Sequence, residues 1–474
     1  MPGPIPSLSD SPHRLMRDAL GLADIVTATM ANIAPAMSFF FGFGLIAVAA
    51  GVASPLTIVS AGVAIAVLGN TLSEFSRVRP SAGSFVTFIG LAFGPTSAVV
   101  VALLAGSGYI VAMGSVVTAA GSFASLILDK AVGVTVPWQI LTLVLTGLAA
   151  WLMVLGVQLS TRWAGLLFGF EMLVMLGVSV LVLLHRVGNL SLAPVEPGHL
   201  TRGVLGLGLG FPLAAYLFMG WENSAALAEE TSNPRRNVSR AVYLSIAAMM
   251  AAYTLFAYVT VVAFHYDVRA IARQDMPFVT AAAGVLGGGA FLAYLGGMTS
   301  TLAALIAGTN SQARMLFSAA REGLLPAWLG RVHPLWRTPV NALLAFSAVT
   351  ILMVLLWSGV GRLTPVATFS QMSSFGALLV LVVYLLANLS LPVFMRRYAP
   401  RRYQPVRHLV LPMVGVVAIC VPTLQLARQG QPPPYDAFPW AATLVGAVAL
   451  VYALTITRRR PSIGALIGSV VADE

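Results

Sequence analysis

Residues 203–229 read GVLGLGLGFPLAAYLFMGWENSAALAE. The stretch is apolar for long enough to cross a bilayer, which takes about 20 residues, yet Pro212, Gly220 and Glu222 lie inside it. In lipid every backbone N–H and C=O must find a partner within the protein, so a proline and a glycine beside a polar run mark an interrupted helix. A carboxyl at membrane depth is costly and faces a cavity, a partner or a proton path. A carboxyl that only braces helix packing is the competing reading.

Outward from that segment, the chain has 474 residues, of which 58% are apolar and 9% charged, with a mean hydropathy of +0.88. Soluble domains carry roughly 25% charged residues. A soluble enzyme, a disordered scaffold and a nucleic-acid binder are therefore excluded. The single cysteine, Cys420, excludes a disulfide framework and a multi-cysteine metal site. Twelve apolar runs are long enough to span, at 23–49, 53–75, 94–127, 137–159, 163–185, 203–229, 239–264, 285–320, 338–360, 364–394, 407–428 and 435–457. The intervening GSFVTFIGLAF (83–93) is too short and is expected along the inner surface. Residues 1–22 are polar and proline-rich without a signal-peptide core, and they read as a cytoplasmic tail, as do residues 458–474. With both ends inside, 20 of the 27 Lys and Arg fall on the inner side and 7 outside. Basic residues favour the cytoplasmic side, so the net charge of +11 is a topology signal and not a polyanion site.

A second interruption lies in span 1, where ATMANIAPAMSFF (28–40) holds Pro35. Pro35 and Gly220 are 185 residues apart, which is five spans. Interrupted helices at corresponding places in two halves point to the binding site of a secondary transporter. The pattern predicts an all-α polytopic membrane protein with repeats at about 23–185 and 203–394, followed by two added helices at about 407–457. Besides Glu222, one carboxyl lies deep, Glu171 in GLLFGFEMLVMLG of span 5. No Lys or Arg is expected at the centre of any span, which disfavours a dicarboxylate and suits an ammonium group, a proton or both. Ser107, Tyr109, Thr309, Asn310, Ser373 and Ser374 are further candidate contacts, although each also reads as an ordinary helix–helix hydrogen bond. All six histidines lie in tails, loops or span ends, and no phosphate-cradling glycine-lysine loop exists. No buried histidine or lysine stands ready to activate a nucleophile. The chain reads as neither an enzyme nor a metal or cofactor protein.

The segment FMGWENSAALAEETSNPRRNVSR (218–240) closely resembles the span 6 signature of amino acid–polyamine–organocation (APC) permeases. EFSRVRPSAG (74–83) and RMLFSAAREGLLP (314–326) are similar to the family's connections after spans 2 and 8. The resemblance implies a leucine-transporter-type fold of five plus five inverted helices, working by alternating access. It also implies that the unwound parts of spans 1 and 6 hold the substrate. The matching positions are Ile33, Ala34, Pro35, Ala36, Met37 and Ser38 on one side, and Tyr216, Phe218, Met219, Gly220, Trp221 and Glu222 on the other. The chain departs from the family's glycine-rich G-x-G in span 1. Glu171 matches an ionisable span 5 position that resembles the sodium site of sodium-coupled members. The resemblance therefore implies proton coupling through Glu171, with Glu222 as the other carrier, and with sodium held by Thr299, Ser300 and Thr301 as the alternative ion. Glu229, Glu230, Arg235 and Arg236 are expected to form either an inner gate with Arg77 or Arg79 or a plain solvated face. Arg396, Arg397, Arg401, Arg402 and Arg407 are expected to fix topology, with anionic lipid headgroups as the other reading. The expectation is a symporter of the bacterial inner (plasma) membrane, a monomer or homodimer with both termini cytoplasmic, importing an amino acid or related amine. An exchanger and a non-transporting nutrient sensor are the alternatives.

Overall fold

The computed structural model describes residues 15–201, 210, 211, 213–426, 428 and 430–469. Pro212, Arg14, His13, Arg202, residues 203–209 of the expected span 6 and the extremes of both expected tails lie outside the described residues. Helices of ten or more residues are numbered in chain order. They are α1 (Leu22–Ile33), α2 (Pro35–Ala50), α3 (Ser54–Val78), α4 (Ser84–Phe93), α5 (Pro95–Val132), α6 (Trp138–Val154) and α7 (Val157–His185), then α8 (Pro234–Ala263), α9 (Pro277–Leu286), α10 (Phe291–Arg321), α11 (Val340–Gly361), α12 (Pro365–Tyr398), α13 (Leu411–Leu426) and α14 (Phe438–Arg459). Among the described residues, ten helical stretches are long and apolar enough to cross a membrane, α1 and α2 counting as one and α9 and α10 as another. The expected span 4 is the apolar but shorter α6, and the expected span 6 is described only in part.

Proline and left-handed residues set the element ends. Pro35, Pro95, Pro234, Pro277 and Pro365 each stand in the first turn of a helix, where a missing N–H costs nothing. Gly156 has φ +132°, which a side-chain-bearing residue rarely adopts, and it separates α6 from α7. Span 5 therefore starts at Val157, earlier than the apolar pattern alone suggested.

α12 packs along α5, α8 along α3, and α10 along α7. An aromatic cluster of Phe39, Phe43, Tyr253, Phe256 and Phe278 joins α2, α8 and α9. Exposed Leu148, Trp151, Leu166, Leu173, Val417, Leu424, Leu444 and Val451 on α6, α7, α13 and α14 give the bundle an apolar outer face of the kind lipid covers. α4 departs from its expected placement. Ser84 to Ala92 are all buried and pack on α5 and α12; the helix is mostly apolar, and its Thr87 hydroxyl turns inward to donate to Glu322 Oε1 (3.0 Å).

Parts of the expected tails are also packed. The Leu20 N–H donates to Glu230 O (2.9 Å) and the Ser232 N–H to Leu20 O (2.9 Å). Near the other end, Ile463 and Ile467 are buried. There Arg79 Nη2 donates to Gly468 O (2.8 Å), and the Gly468 N–H donates to Glu322 Oε1 (3.0 Å).

Candidate functional site

The expected interruption in span 1 is present. α1 ends at Ile33, Ala34 takes left-handed φ 54° and ψ 66°, and α2 starts at Pro35. A helix start leaves its first N–H groups without partners inside the helix, and here each has one. Pro35 has none to satisfy. The Ala36 N–H donates to Glu171 Oε2 (3.1 Å), the Met37 N–H to Ser300 Oγ (3.2 Å), and the Ser38 N–H to Ala34 O (2.9 Å). Glu171 thus reaches from the middle of α7 to cap the positive end of α2, a favourable place for an anion. It is fully buried, and its Oε1 has no hydrogen-bond partner among the described residues.

The expected interruption in span 6 is present too. From Leu217 to Glu222 the chain leaves the helix in successive turns, with N–H groups reaching back three residues, as from Met219 to Tyr216 O (3.1 Å) and from Asn223 to Gly220 O (3.1 Å). Gly220 sits at φ +103°, and a Cβ there would lie 2.7 Å from Asn32 Nδ2 and 3.0 Å from the Asn32 backbone. Two of the freed carbonyls are met by side chains, Leu217 O by the Tyr253 hydroxyl (2.9 Å) and Gly220 O by Asn32 Nδ2 (3.2 Å). The second bond links the two breaks directly. Glu222 accepts from the Tyr109 hydroxyl at Oε1 (2.8 Å), and its Oε2 has no partner among the described residues.

A cavity of about 880 Å3 lies beside both breaks. Of the predicted contacts, Ser38, Tyr216, Met219, Trp221, Ser373 and Ser374 line it. Ile33, Ala34, Pro35, Ala36, Met37, Ser107, Phe218, Gly220, Glu222 and Asn310 do not. Asn310 is taken up elsewhere, donating to Ser160 Oγ (2.9 Å) and accepting from Arg314. The Trp221 and Tyr384 rings meet with centroids 5.6 Å apart on the cavity wall, where Trp221 Nε1 and the Tyr384 hydroxyl have no partner among the described residues. At one end the lining includes Ala272, Gln274, Asp275, Met276 and Tyr435.

Ion pairs gather at the opposite end of α10. Arg314 Nε donates to Glu230 Oε2 and Arg314 Nη2 to Glu230 Oε1 (3.0 Å), with the two side chains 0% and 1% exposed. Arg321 pairs with Glu229 at 2.5 Å. The gate expected between these glutamates and Arg77 or Arg79 is corrected, because Arg77 pairs with Glu74 of its own helix (3.0 Å) and Arg79 holds Gly468. Arg314 was expected in a connecting segment. It lies inside α10, and its burial is tolerable because Glu230 and Asn310 satisfy it.

Sequence reasoning missed Asn32 and Tyr384 and held Ser300 only as a sodium ligand. Asn32 could have been found as a polar residue inside an apolar run, two positions before the break. Tyr384 left no such signal.

Comparison with known proteins bears on the whole arrangement. The family model described as amino acid permease matches residues 24–430. The chain is 25% identical over 284 residues to the uncharacterized amino acid permease YecA of Bacillus subtilis, covering 60% of this chain and 64% of that protein. It is 23% identical to the methylthioribose transporter of the same species, over 79% of this chain and 81% of that one. It is 32% identical to the Asc-type amino acid transporter 1 of Mus musculus, over 33% and 29% of the two chains. The YecA alignment thus spans less than two thirds of that relative's length. The family and these relatives are transporters and not enzymes. With its apolar helices and a family match that runs from α1 into the loop after α13, this multi-pass membrane protein belongs to the amino acid permease family.

Proposed function

We propose that the chain is a twelve-span secondary active transporter with a five-plus-five inverted repeat. In this reading it imports an amino acid or related amine across a bacterial inner membrane by alternating access, driven by protons and with both termini cytoplasmic. The observation that carries the proposal is the placement of Glu171. A fully buried carboxylate caps the N–H end of the α2 half-helix at the break, and one of its oxygens has no partner. Protonating it weakens the hold on Ala36, so occupancy by a proton and the geometry of the break are linked. The large cavity reached from the Asp275 and Tyr435 end, with ion pairs drawn tight at the other, supports an outward-open arrangement.

The same geometry narrows the substrate contacts. The Ala36 and Met37 N–H groups are already engaged by Glu171 and Ser300. Recognition then falls to Ser38, Tyr216, Trp221 and Ser373 around the cavity, with aromatic walls suited to an ammonium group.

The test is uptake of labelled amino acid and amine pools into proteoliposomes, with and without an inward proton gradient. Gradient-driven accumulation by the wild type, lost in Glu171→Gln while substrate binding persists, is the expected result. Full proton-driven accumulation by Glu171→Gln would sink the coupling role. Uptake only into preloaded vesicles would mean an exchanger, and accumulation that follows a sodium gradient would transfer the coupling to that ion.

A further inference from the structure

The start of a half-helix at a break is a ready seat for a substrate carboxylate, because its free N–H groups favour negative charge. In this chain that seat is filled from within. Glu171 takes the Ala36 N–H, Ser300 the Met37 N–H and Ala34 O the Ser38 N–H, so each N–H of the first turn of α2 is engaged. The other break carries a carboxyl of its own, Glu222, which Tyr109 holds. A substrate carboxylate would therefore meet an acidic group at each break.

The cavity wall carries the same preference. Among the described residues that line it there is no Lys, Arg or His, and the one acid is Asp275, exposed at its end. Two of the lining hydroxyls have spent their hydrogens on the main chain, Ser38 Oγ donating to Ile33 O (2.9 Å) and Ser373 Oγ to Ser370 O (3.1 Å). What each turns to a ligand is lone pairs, which accept from an ammonium and give nothing to a carboxylate. Trp221 Nε1 has no partner among the described residues, but one neutral donor does not replace the water around an anion.

Much of the wall is aromatic, with Phe41, Phe123, Phe369, Tyr216, Trp221 and Tyr384 among the lining rings. Ring faces attract a cation and stack on another ring. A volume of about 880 Å3 lies in the upper part of the range that encloses drug-sized ligands, roughly 300–1,000 Å3. A second ammonium group would find no second acid on the wall among the described residues.

We propose that the cavity takes an aromatic monoamine without a carboxylate, and that Glu171 stands where the carboxylate of an amino acid would otherwise sit. The inference rests on the transporter reading above for the identity of this cavity as the substrate site.

The test is equilibrium binding to the purified full chain in detergent, with labelled tryptamine displaced by tryptophan, tryptophan methyl ester and putrescine. Tryptophan should bind at least about tenfold more weakly than tryptamine, because its carboxylate is stripped of water without a partner. The methyl ester has similar bulk without that charge and should stay within about threefold of tryptamine. Putrescine should bind no better than tryptophan. Glu171→Ala releases the Ala36 N–H and removes a charge, so the gap between tryptophan and tryptamine should narrow by at least about threefold. Should that variant fail to fold, the wild-type ranking decides alone. Tryptophan equal to tryptamine, a methyl ester as weak as tryptophan, putrescine above tryptamine, or no binding of tryptamine would each overturn the proposal. So would a folded Glu171→Ala variant with an unchanged gap. Failure of the transporter reading looks different. Tryptamine bound with the expected ranking, yet not taken up by proteoliposomes under any gradient, would refute transport and leave the binding claim standing. Gradient-driven uptake of tryptophan in preference to tryptamine would do the reverse.

Discussion

Removing either member of the Arg314–Glu230 pair should be among the most damaging single changes in the protein. The guanidinium makes two bonds to Glu230 and two to Asn310, at Asn310 O (2.7 Å) and Oδ1 (3.1 Å), and both charged side chains are fully enclosed. Glu230→Gln leaves the donors partnered but the positive charge uncompensated in a dry site. Arg314→Met leaves the reverse. Breaking a buried pair in this way costs about 3–5 kcal/mol, two to three and a half decades in an unfolding equilibrium. Replacing both by apolar residues of similar volume, Glu230→Met with Arg314→Met, removes the desolvation cost along with the attraction and should be close to neutral. The assay is reversible unfolding in mixed micelles, read as a double-mutant cycle. Single-variant costs below about 1 kcal/mol, the range of an exposed pair, would refute the claim that the site is dry. The double variant also separates stability from the proposed alternating access, since it should stay folded yet leak substrate if the pair helps to close that end.

Other predictions concern separate parts of the molecule. Burial pushes the Glu322 carboxyl up from 4.5 to about 7, against the partial relief given by the Gly468 N–H, Thr87 and Arg321 and with the nearby Glu229 adding to the rise. A raised carboxyl favours the folded state in acid, and that advantage is full below about pH 4.5 and gone above about pH 7. At about 1.36 kcal/mol per pH unit the gap amounts to about 3 kcal/mol at most. Glu322→Gln should therefore flatten the stability profile and exceed the wild type at pH 8, as thermal unfolding between pH 5 and 8 would show. A Gly220→Ala variant meets a left-handed φ and the Asn32 backbone together, which should cost at least about 1–3 kcal/mol and abolish uptake. Asn32→Ala should not rescue it, because two of the three closest atoms belong to the Asn32 main chain.

What the sequence revealed and what it hid divide along the range of the interactions involved. The breaks at Pro35 and Gly220 were legible because a missing N–H and a tolerated positive φ are properties of single residues. Glu171 was legible because a carboxyl inside an apolar run is conspicuous by its cost. Their partners were not. Ser300 meets Met37 across 263 positions and Asn32 meets Gly220 across 188, and no local pattern encodes which hydroxyl or amide will arrive. Arg314 misled for a related reason. Its partner Glu230 is 84 residues away, so its position near a helix end suggested a solvated arginine where a neutralised, buried one stands. Length alone likewise misplaced α4, which is too short to cross and was expected along the inner surface, and which the fold encloses.

The docking of residues 463–468 has a practical side for anyone attaching a reporter to this protein. Ile467 presses on Gly90 of α4, Gly468 on Leu91, and Leu466 and Ile463 lie close to Gly323. A fluorescent domain fused at Ser462 would strip an apolar cover from α4 and from the start of the α10–α11 loop, and the signal would then report a damaged protein. Fused beyond Ser469, the same domain leaves that cover in place, so comparing the brightness of the two fusions in cells gives a simple measure of how much the segment contributes to folding.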